Sequence, residues 1–185
     1  MGSYLNPGNK GFQESLNSEI YVDKTGLIEK TNEVLDTRQK FLCVSRPRRF
    51  GKSMAADMLA AYYERGEDSA ELFGTLKISK VESYEKNRNQ YDIIKVNMQE
   101  FLSMTHSMDE MLSMLQKYLI FDLTDHFDNV RFRDENNLIQ VMKDIYSKTK
   151  HSFVILIDEW DCLFREYKQD NEAQKKYLDL SLIHI

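Results

Sequence analysis

Two short groups of residues in this chain carry types that could act on a charged substrate. The first is Gly51-Lys52-Ser53, which lies between an apolar run at 40–45 (KFLCVS) and a stretch of good helix formers. The second is Asp158-Glu159, where the apolar run 152–157 (SFVILI) ends. Strand, glycine-bearing loop and helix is the order a triphosphate site requires, because loop amides and a helix N-terminus present positive partial charge to phosphate oxygens. Gly51 would let the backbone approach closely, Lys52 would reach the β- and γ-phosphates, and the Ser53 hydroxyl would ligate magnesium. Such a site also needs a carboxylate at the tip of a neighbouring strand. Asp158 is expected to hold the magnesium with Ser53, and Glu159 to polarise the attacking water as general base. The expected nucleotide-binding set is Arg48, Arg49, Phe50, Gly51, Lys52, Ser53 and Met54. Lys52 and Glu159 are the expected catalytic pair, with ATP and Mg2+ as the implied ligands.

The full phosphate-loop motif has a second glycine five residues before Gly51, and Arg46 stands there. A bare Gly-Lys-Ser/Thr occurs by chance in roughly one protein in ten of this length, so its placement between strand and helix carries the weight. The plain alternative is a helix N-terminus with Lys52 in solvent. For Asp158 and Glu159 it is two exposed carboxylates at the end of a core strand.

The elements that must position these groups follow from hydrophobic period. Residues 40–45 and 152–157 read as buried strands, and 91–98 (YDIIKVNM) as another. Ile20-Tyr21-Val22 is a short strand or an extended lead-in, after which Asp23 can cap a helix over Leu27, Ile28 and Val34. Met54, Ala55, Met58, Leu59 and Tyr62 recur at helical spacing, and that helix should fade near Gly66. Leu72, Phe73 and Leu76 could anchor a short element. Ser107 with Glu110 forms a capping box before a helix carrying Met111, Leu112, Leu115, Leu119 and Phe121. Further helices are expected over Leu138, Val141, Met142 and Ile145, and over 172–178. Continuous apolar strands separated by helices predict an α/β fold with a mostly parallel sheet and flanking helices.

Composition narrows the class. The chain has 185 residues, 42% hydrophobic and 30% charged, with net charge −5, so it fits one domain or a piece of a larger one. That charge disfavours a general nucleic-acid or anionic-membrane binder. No stretch approaches the roughly 20 apolar residues of a membrane helix. Cys43 and Cys162 give neither a disulfide framework nor metal spacing, so a reducing cytoplasm is the simple expectation. Cys43 is expected as a buried thiol, and helix methionines such as Met54, Met58, Met111 and Met142 as core filler.

Tyr21-Val22-Asp23-Lys24-Thr25, Ser45-Arg46-Pro47-Arg48-Arg49-Phe50-Gly51-Lys52-Ser53 and Ile157-Asp158-Glu159-Trp160-Asp161 together resemble the AAA-ATPase-like family of bacterial P-loop proteins, relatives of the archaeal-type ATPases. The resemblance covers most of the chain and implies a P-loop NTPase fold of the AAA/RecA type, with an additional strand and a catalytic glutamate. Arginine in place of the first loop glycine is the family's own habit. The resemblance places a sensor strand between the phosphate-loop strand and the Asp-Glu strand in the sheet, and an arginine-bearing lid later still. Some members continue into a PD-(D/E)XK-type nuclease domain, which makes DNA or nuclease coupling an implied property of a longer protein. The expectation for residues 1–185 is therefore a truncated domain without sensor strand and lid, its last residues foreign to the native gene and its oligomeric state open.

Two features stay open at this level. Arg46, Arg48 and Arg49, with Arg38 and Lys40, could neutralise nucleotide phosphates, contact nucleic-acid phosphates or be solvated charge. Residues 21–25 could line an adenine pocket or form a plain turn capped by Asp23. The rivals to an ATPase are a nucleotide-gated switch with little turnover and a nucleic-acid-binding module built on the arginine cluster.

Overall fold

A computed structural model describes residues 2–45, 47, 50–166, 174, 175 and 177. Helices α1 (Lys10–Leu16) and α2 (Gly26–Val34) precede α3 (Lys52–Tyr63). The short helices α4 (Ala70–Phe73) and α5 (Tyr84–Asn87) flank a 3-10 turn at Lys77–Lys80 and lead into strand β1 (Asp92–Asn97). Helices α6 (Met98–Ser103), α7 (Met108–His126) and α8 (Leu138–Thr149) then cross over to β2 (Phe153–Asp158), and α9 (Cys162–Glu166) follows. The two strands pair in parallel, with Asp92 opposite Phe153 and Asn97 opposite Asp158. Among the described residues they form a small two-stranded sheet within a mixed helix–strand architecture, compatible with an α/β fold.

Side-chain alternation along the strands assigns each face a helix layer. Ile93, Val154 and Leu156 belong to a cluster with α3 residues Met58, Leu59, Tyr62 and Tyr63. Ile94, Val96, Ile155 and Ile157 belong to the opposite cluster, with Met111 and Leu119 of α7 and Val141 and Ile145 of α8. Lys95 points to the α3 side, where it forms an ion pair with Asp57. The N-terminal segment lies antiparallel along β1: Asn6 donates its N–H to Ile93 O at 2.8 Å, and the Lys95 N–H donates to Tyr4 O at 2.8 Å.

The capping box opens α7 with a one-residue twist. Ser107 Oγ accepts from the Glu110 N–H at 3.2 Å, while Glu110 Oε2 accepts from the His106 N–H at 2.8 Å, one residue earlier than the reciprocal pattern. Asn137 caps α8 in the same way, accepting from the Gln140 N–H at 3.1 Å.

Four expectations differ from what is seen. Residues 40–45 form no strand and are exposed, with Phe41 69% and Val44 44% exposed. A strand exists only where a neighbour accepts its ladder; none pairs with 40–45 among the described residues, and β2 has β1 on one edge only. Cys43 is therefore exposed rather than buried. Met54 and Phe121 also face outward, because the buried stripes of α3 and α7 fall on other positions. Residues 21–24 take no regular secondary structure, which selects the lead-in over the strand. Of the helix expected over 172–178, residues 174, 175 and 177 are helical, and the rest lie outside the described residues. No helix among the described residues is long and apolar enough to cross a membrane.

Candidate functional site

Helix α3 carries the loop lysine and serine to the strand tips because it is pinned at both ends. Its last residue accepts from the Tyr91 N–H (Tyr63 O, 2.9 Å), and the Arg65 N–H donates to Tyr91 O at 2.8 Å, so its C-terminus sits at the start of β1. Twelve helical residues span about 18 Å, and a six-residue strand about 20 Å. The helix N-terminus therefore reaches the far end of the sheet. There the Ser53 Oγ donates to Asp158 Oδ2 at 2.5 Å, across 105 positions of sequence.

Gly51 is the N-cap of α3, with φ 76° and ψ 34°. This left-handed conformation favours glycine, since a Cβ would crowd the backbone. Its carbonyl accepts from the Ala55 N–H at 3.0 Å, which leaves Lys52 as the first helical residue and Ser53 in the first turn. Phe50 and Ser53 are exposed and Lys52 half-buried. Of the expected arginines, Arg46, Arg48 and Arg49 lie outside the described residues.

At the end of β2 the chain turns sharply. Asp158 Oδ1 accepts from the Glu159 N–H at 2.9 Å, and Glu159 has φ 52°, an uncommon left-handed conformation for a glutamate. The Glu159 carbonyl then accepts the Cys162 N–H at 2.9 Å, starting α9. That turn brings Arg165 back onto the acidic group. Its guanidinium pairs with Glu159 Oε2, with Asp161 Oδ2 at 3.2 Å, and reaches Gln99 Oε1 at 3.4 Å. The Glu159 hydrogen bond leads in raising the Arg165 pKa, so the arginine stays charged. Cys162 beside it is fully buried, and burial pushes its thiol up to about 11, which makes it unreactive.

A cavity of about 300 Å³ opens beside the loop, lined by Phe12, Tyr21, Val22, Lys24, Phe50 and Met54 among others. Met54, expected both as core and as a ligand contact, lies on this cavity wall. The cavity's outer wall is the lead-in segment, held in place by Asp23. Asp23 accepts from the Thr25 N–H at 2.9 Å and the Lys77 N–H at 2.8 Å. Burial alone would raise the Asp23 pKa; the bonds from the Thr25 hydroxyl and the two backbone N–H groups outweigh it and lower it. Lys24 Nζ donates to Phe50 O at 3.0 Å, tying the lead-in to the loop. A second cavity, about 290 Å³ and largely apolar, lies on the other sheet face between α7 and α8.

The donors present suit magnesium. That cation takes oxygen ligands and retains several waters, needing only one or two protein groups beside phosphate. A serine hydroxyl and a half-exposed carboxylate already in contact are such groups. Arg165 and Lys24 were not singled out individually from sequence as site residues. Arg165 carried one weak signal, an arginine six positions after Glu159 on a short helix, and Lys24 lay inside a motif left open between an adenine-pocket lining and a plain turn.

The architecture is thus a mixed helix–strand fold compatible with the α/β class, with a helix N-terminus, Gly51 and an acidic strand tip at one end of a small parallel sheet. A family model described as a predicted AAA-ATPase matches residues 8–183, and the chain belongs to this AAA-ATPase-like family. No curated protein and no solved structure gives a significant match.

Proposed function

We propose that this chain binds ATP with magnesium and hydrolyses it at a P-loop site of the AAA/RecA type. The observation that carries the reading is the 2.5 Å contact between Ser53 Oγ and Asp158 Oδ2, which joins the loop to the strand tip. Loop amides and Lys52 stabilise charge on the phosphates. Ser53 and Asp158 hold the metal, which when bound neutralises β- and γ-phosphate charge. Glu159 accepts a proton from the attacking water. The apolar cavity beside the loop, with Tyr21 and Phe12 edge-to-face at 6.1 Å, has the size and lining for a nucleobase.

One observation favours a second reading, a nucleotide-gated switch with slow turnover. The Glu159 carboxylate is occupied by Arg165, so it must exchange partners before it can act on water. Equilibrium binding of MgATP measured beside phosphate release separates the two. For the ATPase, Lys52→Ala loses binding by about a hundredfold or more, while Glu159→Gln keeps binding within a few-fold and loses turnover. Equal loss of binding in both variants would remove Glu159 from the role of base. Binding without phosphate release in the wild type would select the switch.

A further inference from the structure

The motif Tyr21-Val22-Asp23-Lys24-Thr25 has one member whose side chain reaches the phosphate loop, and the reading above leaves it without work. The Lys24 ammonium donates to Phe50 O at 3.0 Å. It also stands 3.0 Å from the point a Cβ on Gly51 would occupy, so it lies on the side of Gly51 where a side chain would project. The two lysines, one from the lead-in and one from α3, therefore flank the residue whose missing side chain lets a ligand come closest.

The backbone beneath Lys24 is firmly held although its side chain is exposed. Thr25 is fully buried, and its Oγ1 accepts from the Ile78 N–H at 3.2 Å. Asp23 is turned away from Lys24, towards Thr25 and the Lys77 N–H. Some lysines here have carboxylate partners, such as Lys95 with Asp57 and Lys30 with Glu33 at 2.8 Å. Lys24 has none among the described residues; a neutral carbonyl takes one of its three donors. Of the described side chains lining the cavity beside the loop, it alone is charged. An ammonium fixed at the loop end of an apolar cavity and short of an anion suits a phosphate oxygen, as a charge-assisted hydrogen bond.

Resting on the ATP-site reading, we propose that Lys24 is a second phosphate-binding cation. It serves the α- and β-phosphates, at the junction between the base cavity and Lys52. The class of ligand it selects is a nucleoside diphosphate or triphosphate over the bare nucleoside.

The test is equilibrium calorimetry of the full chain with MgATP and with MgADP, alongside thermal unfolding without nucleotide. Lys24→Met should weaken both nucleotides about tenfold, and Lys24→Arg should restore both to within about threefold. Unfolding temperatures without nucleotide should stay within about 2 °C of wild type, which a mere brace for the loop would not allow. Unchanged affinity in Lys24→Met overturns the assignment, as does a loss that tracks lowered stability or that arginine fails to rescue. Weakening of MgATP alone overturns the α/β placement. If the wild type binds and Lys52→Ala does not, an unchanged Lys24→Met removes only this assignment. A wild type that binds neither nucleotide removes the ATP site itself and this inference with it.

Discussion

Two apolar runs of similar composition end at the two halves of the candidate site, and they have different fates. Residues 152–157 form a strand along β1, its side chains alternating between the α3 layer and the α7–α8 layer. Residues 40–45, equally suited to strand by residue type, lie exposed and unpaired. The difference teaches that β-propensity describes fit to a half-buried pleated surface and creates no such surface by itself. The loop half of the site is consequently held by α3, through its buried face and its C-terminal bonds to Tyr91, and by the Lys24 bond to Phe50 O. The acidic half is held by the sheet.

The largest expected effect lies at the buried end of α3. Glu64 is buried and accepts the Gly8 N–H at 2.7 Å; burial pushes its carboxyl up to about 7. The native state thus keeps a proton that the unfolded chain releases near 4.5. Stability should therefore fall as pH rises through about 4.5 to 7, by about 3 kcal/mol in all. Urea unfolding across this range should show the fall in wild type and its absence in Glu64→Gln. A parallel pH dependence in both would mean Glu64 is solvated.

Next in size is a matched pair of leucine truncations, which challenges the comparison directly. Leu156→Ala, in the run that found a partner and packs against the α3 cluster, should cost about 2–3 kcal/mol in urea unfolding. Leu42→Ala, in the exposed run, should change stability by less than about 0.5 kcal/mol. Comparable losses would show that residues 40–45 are packed in solution. Between these two effects falls Ser53→Ala, which removes the contact joining the halves. It should weaken nucleotide binding about tenfold in magnesium and much less in its absence, since only the metal-linked part is lost. An equal loss with and without magnesium would place Ser53 in the loop's structure and outside the metal site.

Much of the helix layout was legible in the chain because period, caps and chain stiffness act locally. Ser107 caps α7 by a bond to the residue three positions on, and Gly51 sits where the left-handed cap of α3 needs it. The strands at 92–97 and 153–158 were legible for a further reason: the segments between them are long and helical enough for a parallel crossover. The run at 40–45 and the outward turn of Met54 and Phe121 were not legible. Each depends on which surfaces happen to be close, and residue type cannot report that.

By itself the sequence determined which groups can do chemistry here: the lysine and serine after Gly51, and the carboxylates that end an apolar run. Only the tertiary structure decided which of them meet. Asp158 reaches Ser53 because a helix and a strand of matched length are locked together at their opposite ends. Glu159 meets Arg165 because one left-handed residue folds α9 back, and Lys24 meets the loop because Asp23 and Thr25 anchor the lead-in to the turn at 77–80. Such encounters depend on distances between segments remote in the chain, and those distances are set by packing rather than by local preference.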